Sequence, residues 1–254
     1  MELRPMYIPF QSIFPNLTGY LSSKEDFKHF SGIIDQKTPY GQAHKGTTAI
    51  DRRISNLHLI MHRIRVDSGV NILPTESYTL NFIYLPIDFE SFFVWIRMIM
   101  DLITYLTPLF YKRNGIIPRN SFNDHIDWFI NKRPGFDSVY ATYLKDNMSW
   151  FTHLRDTRDD SLHRHFWAYA EMKNSGQVMI KRMRGNKVEE EVQSLAKTIG
   201  EVYLKFVDFS KFYEEHFRKR LKDNEKYNYR TLDTRMVTEY AVSINYFIEQ
   251  SFVK

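Results

Sequence analysis

Apolar residues recur at helical spacing over much of the chain. In Asp51–Val66 (DRRISNLHLIMHRIRV), Ile54, Leu57, Met61 and Ile64 stand three or four apart, which predicts an amphipathic helix. From Asp88 to Phe110 the apolar residues cover nearly the whole circumference, so this helix belongs in the middle of a core. A loop with Gly115 and Pro118 precedes a short helix over Asn120–Asn131, which Arg133-Pro134-Gly135 closes. A helix beginning near Phe136 carries Tyr140, Leu144, Asn147, Phe151 and Leu154 on one stripe, and the next member of that stripe is Arg158. Over Lys187–Lys222, Val188, Val192, Leu195, Ile199, Val202, Phe206, Phe209 and Tyr213 keep a seven-residue repeat of the kind found in lengthwise-packed helices. Its end is basic, with Arg218, Lys219, Arg220 and Lys222 beside the negative helix terminus. A last helix is predicted over residues 230–249.

Two stretches change period. Tyr78, Leu80, Phe82 and Tyr84 alternate with other residues, which predicts a short strand ending at Pro86. Phe166, Ala168, Ala170 and Met172 alternate as well, Asn174-Ser175-Gly176 supplies a turn, and Val178 and Ile180 follow, a β-hairpin over about 166–182. Residues 1–50 are rich in proline, glycine, serine and threonine and read as irregular, with one short helix around Lys24–Ile34. The expectation is a mainly α protein: an irregular segment 1–50, a helical bundle 51–222 with a small β-hairpin elaboration, and a C-terminal helical extension, 223–254, packed on the bundle.

Composition narrows the chemistry. Apolar residues at 43% and aromatics at 16% exclude disorder as the main state. The absence of cysteine removes disulfides, thiolate metal sites and cysteine nucleophiles. MELRPMYIPFQSIF mixes charge, proline and aromatics where a signal peptide would be apolar, so the chain reads as cytoplasmic. The most membrane-like run, Phe92–Phe110, holds Arg97 and Asp101 near its centre, each costing roughly 2.5–3.5 kcal/mol to insert in a bilayer. Standing four apart on one side of a helix, they can pair with each other or with solvent, and a buried soluble helix with no membrane partner is the better reading. His58 and His62 also stand four apart, but without a glutamate of the HExxH kind or a clear third ligand, so no metal is expected. No glycine-rich phosphate loop or serine nucleophile elbow is present, and no cofactor is expected. A net charge of +5 allows contact with phosphate backbones.

The densest chemistry lies in Trp150–Phe166, WFTHLRDTRDDSLHRHF, which packs three Arg, three Asp and three His into one helix end. A solvated, salt-bridged surface explains such a run, and exposed pairs of that sort stabilise by only about 0–1 kcal/mol. Against it stand Arg158, which falls on the apolar stripe where a guanidinium needs partners or a cleft, and His163, a side chain suited to proton transfer near neutral pH. On an ideal helix Arg158 and His163 point roughly 140° apart. To act on one group, either the helix loosens near Leu162 or two copies of the segment meet across a dimer.

Arg158-Asp159 followed by His163 resembles the Arg-polar…His motif of HEPN domains, helical bundles that often act as ribonucleases. LRDTRDDSLHRH after an aromatic run, with the helix opening DFESFFVWIRMIMDLITYL, is similar to uncharacterised bacterial members, over roughly residues 50–222. The resemblance implies an up-and-down bundle, a homodimer with two motifs facing across a cleft, and metal-independent RNA cleavage. His163 would then activate the ribose 2′-hydroxyl or protonate the leaving oxygen, Arg158 would hold the phosphate, and Asp159 would orient both; Arg155, Arg164 and His165 would help bind RNA. A toxin or phage-defence setting with an antitoxin or regulatory protein as partner goes with it, and so does the alternative of a noncatalytic HEPN-like module for nucleotide or RNA binding or for dimerisation. Members paired with a nucleotidyltransferase antitoxin often carry a tyrosine two residues after the histidine; here that place is His165, with Tyr169 nearby.

Overall fold

A computed structural model describes residues 7–21, 37–69, 84–111, 116–152, 154, 168–174, 176–184, 187–221 and 234–252. The architecture is mainly helical with one small antiparallel sheet. Four long helices dominate: α2 (Pro39–Gly69), α3 (Leu85–Leu106, continued by a 3₁₀ turn Thr107–Phe110), α7 (Leu195–Arg218) and α8 (Thr234–Phe252). Between them lie the shorter α4 (Phe122–Asp127, continued by a π turn Trp128–Lys132), α5 (Ser138–Asn147) and α6, which opens at 149. The helix α1 (Ile13–Leu21) precedes them.

Contacts along the long helices give their directions. Late in α2, Arg63 meets Asp88 at the start of α3, whereas Gly46, early in α2, lies against Leu106 at the end of α3, so the two run antiparallel. Gly200, early in α7, lies against Phe247 and Ser251, late in α8, so these are antiparallel too. His58 and His62 of α2 meet Tyr240 and Ser243 of α8 in the same order, making that pair parallel. The bundle therefore consists of two antiparallel hairpin-like pairs, α2/α3 and α7/α8, packed side by side.

The sequence pattern reaches the core largely as expected. Ile54, Leu57, Met61 and Ile64 are all buried, and α2 extends the stripe back through Ile50 and Ala43. In α3, Phe89, Phe92, Phe93, Ile96, Ile99, Met100 and Ile103 are buried, and Arg97 pairs with Asp101 at 3.2 Å as the four-residue spacing predicts. Leu85–Phe110 is long and apolar enough to cross a bilayer, but 67% of its most apolar window is buried inside the protein itself. The final helix, at Thr234–Phe252, packs on α7 and α2.

Three expectations are corrected. Residues 13–21 are not irregular: α1 places Ile13, Phe14 and Leu17 in the core, and α2 already starts at Pro39. The helix from Phe136 is not continuous, because it ends at Asn147 and restarts at 149 across Met148 (φ −103°, ψ 14°). Asn147 is consequently exposed, and Met148 takes its buried place on the stripe. Finally, Lys187–Ser194 is a strand, β3, not the first turns of the long helix. The hairpin of β1 (Ala168–Asn174) and β2 (Gln177–Arg184) thereby becomes a three-stranded meander in the order β1-β2-β3, with Met179 opposite Val192 and Lys181 opposite Glu190. Val178 and Ile180 fill the core from β2, and Ser194 caps α7 by accepting a hydrogen bond from the Lys197 amide. The short helix expected around Lys24–Ile34 and most of the strand expected at 78–84 lie outside the described residues; Tyr84 itself sits in helical geometry as the N-cap of α3.

Candidate functional site

Arg155, Arg158, Asp159, His163, Arg164 and His165 all lie outside the described residues. What the structure describes is the helix that leads to them. In α6, Trp150, Phe151 and Leu154 are buried, so the segment enters its charged run from a base seated in the core. Phe151 packs edge-on against Phe122 of α4 (ring centroids 4.8 Å apart) and lies beneath the Arg97 guanidinium, 4.7 Å from the ring centre. That guanidinium, its side chain only 9% exposed, donates from Nε to Asp101 Oδ2 (3.2 Å) and from a terminal nitrogen to Ser121 Oγ (3.2 Å). Asp101 Oδ1 accepts the Phe122 amide at 2.9 Å, and Ser121 Oγ also accepts the Asn123 amide as the N-cap of α4. One part-buried ionic junction thus ties the middle of α3, the start of α4 and the start of α6. Desolvating such a charge costs several kcal/mol, offset here by two hydrogen bonds and a ring face.

Elsewhere, side chains with acid–base capacity are built into the frame. Asp137, the N-cap of α5, accepts the Tyr140 amide, and its Oδ2 also takes hydrogen bonds from Tyr111 Oη (2.8 Å), His216 Nε2 (2.8 Å) and Arg220 (2.6 Å). These donors, led by His216, outweigh its burial and hold the Asp137 carboxyl far below its usual range. The basic end of α7 therefore does more than answer the helix dipole, since Arg220 has a specific buried partner and lies over the Tyr111 ring. The signal in the sequence is Asp137 directly before a helix and after a Pro-Gly turn, but nothing in the sequence pairs it with residues some eighty positions away.

Asp88 is buried under Arg63, with 3.1 Å between carboxylate and guanidinium; burial, opposed by Arg63 and reinforced by Asp67, pushes its pKa up to about 6. His58 and His62, though on one helix, serve different partners: Tyr203 Oη at 2.8 Å and Ser243 Oγ at 3.0 Å. Burial lowers His58 to about 4 and His125, which meets Tyr140 Oη at 3.2 Å, to about 3, so both are neutral core residues. Glu214 accepts from Tyr7 Oη at 2.5 Å and from the Ser12 amide, joining the N-terminal segment to α7. Among the described residues no three His, Asp or Glu side chains converge as a metal site would require. Comparison of the chain with protein-family models, with curated proteins and with solved structures gave no match in any of the three.

Proposed function

We propose that this chain is a metal-independent endoribonuclease of HEPN type, a cytoplasmic toxin or phage-defence effector that works as a homodimer. The observation that supports it most is the seating of α6: Phe151 and Leu154 are buried, and in the sequence Arg158 stands seven residues after Phe151, the spacing of the same apolar stripe. The mainly helical architecture and the net charge of +5 agree with the reading.

In the reaction, the ribose 2′-oxygen attacks the adjacent phosphorus and the bond to the 5′-oxygen breaks, leaving a 2′,3′-cyclic phosphate and a 5′-hydroxyl. His163 takes the 2′-hydroxyl proton or supplies one to the departing oxygen, worth about 10²–10⁴-fold in rate. Arg158 holds the phosphate and its growing charge, Asp159 orients the pair, and Arg155, Arg164 and His165 hold neighbouring phosphates. Two motifs facing across a dimer cleft bring together groups that diverge on a single straight helix. An antitoxin or regulatory protein is the natural partner of such an activity.

The test is incubation of the purified protein and its His163→Ala variant with mixed single-stranded RNA in EDTA. The expected outcome is cyclic phosphate ends from the wild type alone, together with a dimer mass by light scattering at micromolar concentration. A folded dimer that leaves RNA intact, or equal cleavage by both proteins, would transfer the assignment to a noncatalytic HEPN-like binding or dimerisation module. A mass of one chain would remove the shared cleft.

A further inference from the structure

We propose that the outer edge of β3 is a docking site for an extended basic segment of a partner protein, which joins the sheet as a further strand and lays apolar side chains beside Val188 and Val192. The inference is independent of the ribonuclease reading.

The sheet order is β1-β2-β3, so among the described residues β3 has a strand on one side alone. The phase of its ladder fixes which groups face the other side. The Leu195 amide donates to the Gly176 carbonyl at 3.1 Å, one step beyond the pairing of Gln177 with Ser194. The hydrogen bonds to β2 therefore fall at Gln193, Glu191, Glu189 and Lys187. Val188, Glu190 and Val192 alternate with these and turn their N–H and C=O groups outward, where no backbone group among the described residues bonds to them.

Proteins blunt such an edge with proline, a bulge or charge. At the opposite edge, β1, the register slips between Met172 and Asn174. β3 keeps unbroken register from Lys187 to Ser194, holds no proline, and exposes Val188 and Val192 by 62% and 51%. Charge is the remaining guard, and it is of one sign: Glu189, Glu190 and Glu191 are consecutive. Full-length antiparallel pairing with a second copy would set Glu190 against Glu190 and Glu189 against Glu191, and like charges directly opposite are unfavourable. A phosphate backbone is repelled for the same reason.

The chemistry that fits is displayed on the inner side. β2 sets Lys181 opposite Glu190, with nitrogen and oxygen 3.5 Å apart, and Arg182 opposite Glu189. Met179 and Met183 lie opposite Val192 and Val188. The outer edge belongs to the same row of side chains, so its occupant needs lysine or arginine opposite the glutamates and apolar residues opposite the valines. Main-chain hydrogen bonds to Val188, Glu190 and Val192 hold it, and the glutamates select it.

The test is fluorescence anisotropy of a labelled peptide, TVKKKVT, titrated with the full-length protein. Antiparallel to β3, it sets its valines against Val188 and Val192 and its lysines against the glutamates. The comparisons are TVEEEVT, TVKKKVT with N-methyl groups on both valines and the central lysine, and the protein variants Val192→Pro and Val192→Thr. Proline at 192 removes an outward N–H without touching the bonds to β2, and threonine keeps that N–H. Saturable binding of TVKKKVT is expected, weakening about tenfold from about 50 to about 500 mM salt. TVEEEVT and the N-methylated peptide should not bind. Val192→Pro should weaken binding on the order of tenfold, and Val192→Thr by less than about threefold. No saturable binding of TVKKKVT up to about 1 mM would overturn the proposal. Equal binding of the N-methylated peptide, or equal binding by Val192→Pro, would also overturn it, by showing a charge contact without strand pairing. So would a wild-type dimer that Val192→Pro dissociates, because the edge would then belong to a second copy. If Val192→Pro fails to fold, the N-methylated peptide decides alone.

Discussion

His58 and His125 are sealed in the bundle, each with a tyrosine hydroxyl on Nε2, and burial holds them to about 4 and about 3. In the unfolded chain both take up a proton as pH falls through about 6.5, while in the fold they stay neutral. Each therefore withdraws about 1.4 kcal/mol of stability per pH unit below that point, until its folded value is reached. Asp88 works in the opposite direction. Its folded value, about 6, lies above its ordinary 3.8, so between those limits the fold holds a proton that the unfolded chain has released. Its contribution is favourable below pH 4, is lost as pH rises to 6, and leaves a cost at neutrality. The wild type should lose thermal stability from pH 7 to 5, because the two histidines, lowered to about 4 and about 3, outweigh Asp88 together with Asp67 and Glu214, whose carboxyls burial also raises. Asp88→Asn should be more stable at pH 7.5, by on the order of 2 kcal/mol, and should fall more steeply on acidification. Melting curves at pH 7.5, 6.5 and 5 check both signs; a variant that melts below the wild type at pH 7.5 would show that Arg63 stabilises Asp88 by more than burial costs it.

At the scale of elements, the sequence was most legible where one helix face alone decides burial. The stripe Ile54–Leu57–Met61–Ile64 and, from the later run, Leu195, Ile199, Phe206, Phe209 and Tyr213 went into the core as their spacing indicates, with Val202 partly buried at its edge. Val188 and Val192 read as members of the same repeat because four-residue spacing is also two strand periods, and the choice fell to pairing with β2, which local pattern does not contain. Their exposure, 62% and 51%, is what an edge strand on a meander produces and a core heptad would not. The Arg97–Asp101 pair was legible from its spacing, whereas the further partners of Arg97 were not, because Phe151 and Ser121 are brought to it from outside its helix. Gly200 shows the same limit. A β-carbon there would run into the Phe247 carbonyl and Ser251 Oγ, so this glycine permits the close approach of α7 and α8. Both obstacles are fixed, since Ser251 Oγ is itself bonded to the Phe247 carbonyl at 2.7 Å. Gly200→Ala should destabilise by about 3 kcal/mol, despite the better helix propensity of alanine, and lower the denaturant midpoint. An unchanged or higher midpoint would mean that the two helices separate at little cost.

For the molecule as a whole, the instructive part is the N-terminal segment, whose prolines and weak periodicity suggested a loose lead-in. Phe10 is buried and adopts φ 60°, a left-handed conformation that costs a non-glycine residue roughly 1–2 kcal/mol. Burying a phenylalanine returns about 2–3 kcal/mol, so the strain is tolerated because of where the ring goes. It goes between Phe14 on one side and Phe206, Phe209 and Tyr213 of α7 on the others. Tyr7 and the Ser12 amide then fasten the segment to Glu214. Residues 7–21 are thus one wall of the core, assembled from contacts about two hundred positions apart in sequence. Such contacts form only once α7 is docked, since closing a loop of that length must be offset by the packing it permits. Deleting residues 1–21 should therefore uncover the aromatic row Phe206–Phe209–Tyr213 and give a protein that binds a hydrophobic dye, melts with reduced cooperativity and aggregates at micromolar concentration. If the segment were a dispensable lead-in, the truncated chain would melt sharply within a degree or two of the full-length protein, without dye binding. Glu214→Gln in the intact chain separates the two parts of the attachment: it removes the charge beside Tyr7 but leaves the rings in place, so it should cost about 1–2 kcal/mol without dye binding.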